Sequence, residues 1–468
     1  MNSALEEAAA TRPGERARWL DAALERAGRA AGWTSVVLPA SVADPSALCE
    51  VRGGGLAAWW PPHGEAVVGV GAAAILRATG ADRWSELRAQ AEQVAARVEQ
   101  RVFAGELVAG DPHHGPTRPR FLGGVAFAAG AAAAPPWRDF GDAWFLLPRW
   151  TYVSDGTTAT LTLLIDREGA RERARLRAEW VALEKALAAP RPPRPRARVT
   201  EIEEDGERWV ARVADARTFI QAGAAAKVVA ARCQHLRLAE TVRPGDVYGA
   251  LAERHPDCYR VLVAPQRATW LAATPERLVR RSGLTVSCDA LAGSIPSRGE
   301  HELEAARLLA SGKERGEHEL VVTAIVDTLR GAGARVAHAA EPVVRSLRHV
   351  HHLATAVEGQ LEAPLHVLAI AERLHPTPAV GGTPTATALD WIRDHEGEPR
   401  GWYAAPVGWF DRAGDGEFAV GIRSGLLEAD RAHLWAGAGI VAESEPTREL
   451  AETTVKLRAL RGALGLDE

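Results

Sequence analysis

The stretch ERWVARVADARTFIQAGAAAKVVAARCQHL, residues 207–236, reads as a helix followed directly by a strand. The helix covers about 207–221 and closes at Gly223, because glycine takes the left-handed conformation that ends helices at little cost; the strand opens at Lys227 and runs to Arg232. Further strands are predicted on the C-terminal side at 259–264 and 270–273. On the N-terminal side, short apolar runs at 66–70, 144–147 and 158–165 read as strands, and helices are predicted at 16–31, 83–102 and along 167–189. The segment AAPRPPRPRAR, 188–198, can be neither helix nor central strand, since proline lacks the N–H that both ladders need, so it is a connection. Strands and helices mix without regular alternation and no repeat of fixed period is visible. That pattern predicts an α+β architecture with antiparallel sheets rather than a doubly wound parallel fold.

The chain has 468 residues, enough to bury a large core without disulfides or metal staples. A net charge of -4 gives no general attraction to nucleic acid or acidic membranes. The four cysteines, Cys49, Cys233, Cys258 and Cys288, form no C-x-x-C pair, which argues against a zinc cluster or a disulfide framework and fits a reducing cytoplasm. The first twenty residues hold no apolar signal core, and the most apolar run, 122–134, is too short and too rich in glycine to span a bilayer. A soluble cytoplasmic protein with no nucleic-acid or membrane partner is expected.

Arginine has displaced lysine almost everywhere: only Lys185, Lys227, Lys313 and Lys456 remain. A compact ammonium with an adjustable pKa does chemistry that guanidinium cannot, so these positions are candidates for function, with drift the simpler reading for any one of them. Lys227 sits among apolar neighbours, either as an edge lysine reaching solvent or as a desolvated base. Glu276 follows Thr-Pro at a junction between strands. SGKERGEHELVVTAIVDTLRGAG (311–333) predicts a helix with an apolar stripe of Leu320, Val321, Ala324, Ile325 and Leu329, and Glu317 falls just before it on the face to be buried. SEPTRELAETTVKLRALRGAL (444–464) predicts a second helix, with Ser444 as N-cap and Pro446 in the first turn. Glu449, Glu452 and Lys456 lie along one face of it, as a surface ladder or as carboxylates converging with Glu317 on a hard cation such as Mg²⁺. Arg423, in the strand-like run FAVGIRS, is an edge charge or a carboxylate clamp. Gly437 and Gly439 form a G-x-G with no third glycine at dinucleotide spacing, which speaks against a Rossmann site. GDGE at 414–417 is read as a hairpin turn.

Eleven segments in order, KVVAAR, TPERLV, ALAGSIPSRG, KERGEHELVV, HHLATAVEGQL, LHPTPAVGGTPT, YAAPVGW, GDGEF, IRS, AGAGIVAESEP and AETTVK, resemble the chorismate-utilising enzymes, most closely the isochorismate synthases. The resemblance runs from about Gly223 to the C-terminus. It implies two mainly antiparallel β-sheets packed face to face and flanked by helices, as one large unit in which 1–199 is the less diagnostic N-terminal part and 200–468 the catalytic region. It also implies roles. Lys227 would be the general base that takes a proton from water, and Glu276 the general acid that protonates the departing C4 hydroxyl. Glu317 and Glu452 would hold Mg²⁺ with Glu449 nearby, while His352, Arg423, Lys456 and the Gly437 backbone would hold the substrate, chorismate.

Relatives that use ammonia typically carry glutamine where Lys227 stands, and aminodeoxychorismate synthases tend to carry lysine where Ala292 stands. No obligatory glutamine amidotransferase subunit is therefore expected. The implied reaction is reversible conversion of chorismate to isochorismate; salicylate synthases, which go on to eliminate pyruvate, are the alternative, and a non-catalytic chorismate-binding subunit is disfavoured by the intact acidic and basic residues. Chain length and the segment FLGGVAF (121–127) favour a menaquinone-type enzyme over a siderophore-type one.

Overall fold

The computed structural model describes residues 13–30, 32–51, 53–97, 118–190, 196–203, 206–297, 299–348 and 350–466. Every described ladder is antiparallel, and the strands join in one continuous network that folds into two layers. The fork is the strand Ala143–Ser154. One edge of it pairs with Ala66–Ala78; on the other edge its first half pairs with Arg120–Val125 and its second half with Ala159–Ile165. From Ala66–Ala78 the first layer continues through Leu56–Trp60, Tyr259–Ala264, Thr269–Thr274, Ser424–Glu428 and Arg431–Ile440 to Lys227–Leu238. From Arg120–Val125 the second layer continues through Pro406–Asp411, Gly416–Val420, Arg277–Ser282 and Thr285–Pro296 to Val350–Leu361.

Strand periodicity explains the layering. In Leu56–Trp60, Ala57 and Trp59 join the core between the layers, whereas Leu56 and Ala58 join a second core under the outer helices. Tyr259, Val261 and Val263 likewise face inward with Trp270 and Ala272, while Leu262, Ala264, Leu271 and Ala273 face the helices. From the opposite layer come Phe145, Phe410 and Phe418, and the Tyr259 hydroxyl donates to Glu417 across the interface at 2.9 Å. Each large side chain removed from water here stabilises the fold by roughly 1.5–3 kcal/mol. The helices Pro13–Ala27, Arg173–Ala188, Pro244–Arg254 and Pro446–Ala463 cover the first layer's outer face.

The expected strands are present and mostly longer: 66–70 extends to Ala66–Ala78, 144–147 to Ala143–Ser154, and 227–232 to Lys227–Leu238. The helix expected at 83–102 is Arg83–Ala95, with 98–102 outside the described residues, and the helix expected at 16–31 is Pro13–Ala27, with Ala31 also outside them. The helix before the proline-rich connection ends at Ala188, and 191–195 lie outside the described residues. Leu320 is a correction: it is 44% exposed, and Val321, Val322, Ile325, Val326 and Leu329 form the buried stripe, because the helix turns its neighbour His318 inward instead.

FLGGVAF acquires a structural reason. Gly123 pairs with Gly408 on the adjacent strand, and a Cβ at Gly123 would fall 2.0 Å from the Trp144 carbonyl oxygen, so the ladders come closer than any side chain permits. Gly123→Ala should therefore lower unfolding free energy by about 3 kcal/mol or more. Gly156→Ala, at a turn with positive φ and open space around it, should cost only about 1 kcal/mol. Chemical denaturation of both variants checks this; a Gly123→Ala penalty no larger than that of Gly156→Ala would refute the close approach.

Candidate active site

The strands that end the first layer and the helices that lie across them bring distant residues to one cavity. Its lining includes Lys227, Glu276, Glu317, His352, Arg423, Gly437, Glu449, Glu452 and Lys456, which are all nine residues singled out from the sequence. Lys313 lines it too, whereas Lys185 is exposed on the helix Arg173–Ala188. Three of the four lysines thus share one site.

Lys227 is 3% exposed and forms an ion pair with Glu317 Oε1, so the strand Lys227–Leu238 is tied to the helix Gly312–Gly331. Gly439, on the neighbouring strand, leaves room for that side chain: a Cβ there would lie 2.6 Å from Lys227 Cε and 3.4 Å from Glu317 Oε1. On the helix Pro446–Ala463, Lys456 Nζ donates to Glu452 Oε1 at 2.6 Å and to the Gly437 carbonyl at 2.9 Å. The ladder spacing read from the sequence is therefore real, but it faces the cavity. Ser444 is not the N-cap as expected. Glu445 holds that position, while Ser444 Oγ accepts from the Val441 N–H at 3.1 Å and its hydroxyl serves Glu449.

Arg423 is a second correction. The strand stops at Val420, and Arg423 sits in the left-handed region at φ 51°, where its carbonyl accepts from Ala273 at 3.2 Å as the chain crosses between layers. A non-glycine residue there carries strain of order 1 kcal/mol or more, which a turn fixed on both sides can hold. The result points a guanidinium into the cavity. His352 lies beside a bulge at Gly293, its Nε2 buried and without a hydrogen-bond partner. Burial, with Arg423 and Lys456 beside it, holds this imidazole well below its usual pKa, so it is neutral.

Burial separates the acids. Glu276 is 4% exposed; desolvation, reinforced by Asp289 and only partly opposed by Lys227, pushes its carboxyl up to about 8. Burial acts on Glu452 in the same direction, yet Lys456, Arg423 and Lys313 outweigh it and hold that carboxyl below its usual value. Glu449 is raised by burial and by Glu452. The cavity therefore presents a protonated Glu276 beside an ionised Glu452 at neutral pH.

Several lining residues were not singled out from the sequence. Glu314 stands three residues before Glu317, so helical spacing was the available signal; it accepts from the Ser294 N–H at 2.8 Å. Arg400, Tyr403 and Trp435 line the cavity without a local pattern to mark them. Arg400 is clamped by Glu396 and stacks at 4.3 Å over the ring of Phe127, so the N-terminal region braces the site, and among the described residues it contributes no ionisable group to the lining.

The sequence profile of the family described as chorismate binding enzyme matches residues 21–465. The chain belongs to that family. Among characterised relatives of this family member, the "Salicylate biosynthesis isochorismate synthase" of Pseudomonas aeruginosa is 37% identical over 398 residues, 82% of each chain. "Isochorismate synthase MenF" of Bacillus subtilis is 32% identical over 417 residues, 87% of each. The solved structure of MenF, the menaquinone-specific isochorismate synthase from Escherichia coli, superimposes with a TM-score of 0.77 at 26% identity, covering 95% of this chain and 100% of that one. The α+β fold of packed antiparallel layers is thus the family's own.

The raised pKa of Glu276 has a consequence for stability. The unfolded carboxyl ionises near 4.5 and the folded one near 8, so between those values the unfolded chain releases a proton that the folded chain keeps. Stability is full below 4.5 and falls as pH rises through 8, by an amount on the order of 4 kcal/mol from this group. Glu276→Gln should remove that loss, so the variant gains thermal stability relative to the parent at pH 8.5 but not at pH 5. Equal melting-temperature differences at the two values would contradict it.

Proposed function

We propose that the protein is an isochorismate synthase: water adds at C2 of chorismate while the C4 hydroxyl leaves, and the enolpyruvyl side chain is retained. The single observation that carries this reading is a buried, protonated Glu276 in the same cavity as the buried amine of Lys227. Neither water as nucleophile nor hydroxide as leaving group is adequate unaided, so the exchange needs a base for one and an acid for the other. Lys227 takes the proton from the attacking water, and Glu276 donates one to the departing oxygen. Arg423, Lys456 and the backbone at Gly437 hold the substrate's carboxylates, and the lone pair on neutral His352 accepts from a substrate hydroxyl.

Charge argues for a metal. With Glu276 protonated, Arg400 paired to Glu396 and Lys227 neutral as a base must be, Lys313, Arg423 and Lys456 stand among Glu314, Glu317, Glu449 and Glu452, which leaves no surplus of positive charge to meet a dianion. A divalent cation restores balance, and an all-oxygen donor set suits Mg²⁺. Glu317 and Glu452 would hold it, with Glu449 near, and bound Mg²⁺ would neutralise and orient a substrate carboxylate. Glu317 would then serve both the cation and Lys227, and its weaker hold on the amine would let Lys227 act as a base.

Residues 200–468 supply the chemistry in this reading, and 1–199 supply bracing such as Phe127 under Arg400. Lys227, in place of the glutamine of ammonia-using relatives, means that no amidotransferase partner is required. No helix among the described residues is long and apolar enough to cross a membrane, in keeping with action in the cytoplasm on a soluble substrate. Full-length similarity to menaquinone-specific MenF supports supply of menaquinone synthesis. The Pseudomonas relative supports salicylate synthesis as the second reading. The two differ in what consumes isochorismate.

Purified protein given chorismate and Mg²⁺ should yield isochorismate by chromatography and mass, with no comparable pyruvate in a lactate-dehydrogenase-coupled assay; stoichiometric pyruvate with salicylate would make it a salicylate synthase. Lys227→Ala and Glu276→Gln should each lower turnover by roughly 10² or more. Gly439→Ala, which displaces Lys227 by its flexible end, should lose about 10² in rate with little change in melting temperature. The parent's activity should decline as pH rises through about 8, where Glu276 loses its proton.

Chelation should abolish activity and Mg²⁺ restore it. Glu452→Gln should raise the Mg²⁺ concentration needed for half-maximal rate at least tenfold; an unchanged requirement would remove Glu452 from the metal site.

A further inference from the structure

The strand Lys227–Leu238 carries a second group of chemically capable side chains toward its other end, outside the catalytic cavity. Cys233 and His235 are two residues apart on that strand and therefore on one face, and His433 stands directly opposite His235 on Arg431–Ile440. Each offers one ligand atom, and these three atoms all lie within 4.8 Å of one another. The two Nδ1 atoms are 2.6 Å apart, and Cys233 Sγ is 3.8 Å from His235 Nδ1. Two imidazoles can meet nitrogen to nitrogen only if one donates and the other accepts. His235 Nε2 is within 3.2 Å of Glu398 Oε1, and that carboxylate can only accept, so the His235 proton belongs on Nε2 and its Nδ1 carries a lone pair. His433 then donates from Nδ1, which leaves its Nε2 as a buried acceptor with no partner. This is a poor arrangement for a purely structural pair.

We propose that Cys233, His235 and His433 form a transition-metal site suited to Zn²⁺, separate from the catalytic cavity. Three observations support it. The donor set of one thiol and two imidazoles is what a borderline-soft ion selects, whereas Mg²⁺ prefers the oxygen-only set of the catalytic cavity. Glu398 on the outer nitrogen of His235 is the carboxylate–histidine arrangement that orients metal-binding imidazoles and makes them more basic. The approach is open, through a groove in which Glu201, Glu203 and Glu398 stand beside His235 and His433, with Arg237 and Arg431 at its wall. On loading, the Cys233 thiol loses its proton to solvent, the His433 proton moves from Nδ1 to Nε2, and both Nδ1 lone pairs turn to the ion. Tetrahedral Zn–N bonds of ~2.0–2.1 Å require the two nitrogens to be about 3.3 Å apart, so the rings must part by roughly 0.7 Å. Three protein ligands leave a fourth position open to the groove.

The test uses the full-length protein stripped by chelator and then held in millimolar Mg²⁺, so that hard-oxygen sites are occupied. Titration with Zn²⁺ should show one equivalent bound at micromolar or tighter affinity. Co²⁺ in its place should give four-coordinate visible bands and a near-ultraviolet thiolate charge-transfer band. Cys233→Ser should abolish that band and weaken Zn²⁺ binding at least tenfold. Glu398→Gln, at an exposed position that the fold does not depend on, should weaken binding by 10-fold or more while keeping the band. Absence of the charge-transfer band in the parent overturns the proposal, as does Zn²⁺ affinity unchanged in both variants.

Discussion

Lys227 and Glu317 meet where the first strand layer ends and the helix Gly312–Gly331 lies across the second, and the rest of the site is arranged around that contact. A buried ammonium is costly unless a carboxylate and a close-packed backbone receive it, and removing one partner of such a pair leaves the other charge uncompensated. The neighbouring strand meets this constraint by having no side chain at Gly439 and only a carbonyl at Gly437, which Lys456 engages from the opposite side. Two lysine–glutamate pairs, Lys227–Glu317 and Lys456–Glu452, thus frame one cavity from two helices and one strand pair. Each pair holds a carboxylate that a cation can share.

The same enclosure sorts the acids into different states. Among the described residues Glu276 has no cation in direct contact and burial keeps it protonated, whereas Glu452 is less enclosed, lies beside Lys456 and is held ionised. Glutamates of identical intrinsic chemistry become a proton donor and a charged ligand because of what stands next to them. The left-handed backbone at Arg423 and the bulge at Gly293 serve the same cavity, aiming a guanidinium and an unpartnered imidazole nitrogen into it.

Much of this was legible in the linear chain. The alternation of buried faces in Tyr259–Ala264, where a strand was expected, follows the two-residue strand period, and the Glu449, Glu452 and Lys456 face follows helical geometry. Scarcity of lysine singled out four positions, and three of them, Lys227, Lys313 and Lys456, line the cavity, with Lys185 left on the surface. What misled was local. Leu320 fits an apolar stripe by spacing alone, and Ser444 fits an N-cap by residue type alone, yet burial is decided by the partner surface and capping by which amide lies within reach.

The sequence by itself determined the elements, their antiparallel α+β character and the identity of the ionisable residues, because periodicity, turn chemistry and residue type are properties of neighbours along the chain. Only the tertiary structure decided that Glu276 keeps its proton and Glu452 does not, that Arg400 rests on Phe127 from the other half of the chain, and that Cys233, His235 and His433 meet. Those outcomes depend on desolvation and on charges brought within a few ångströms by strands far apart in sequence, quantities that have no value until the chain has folded.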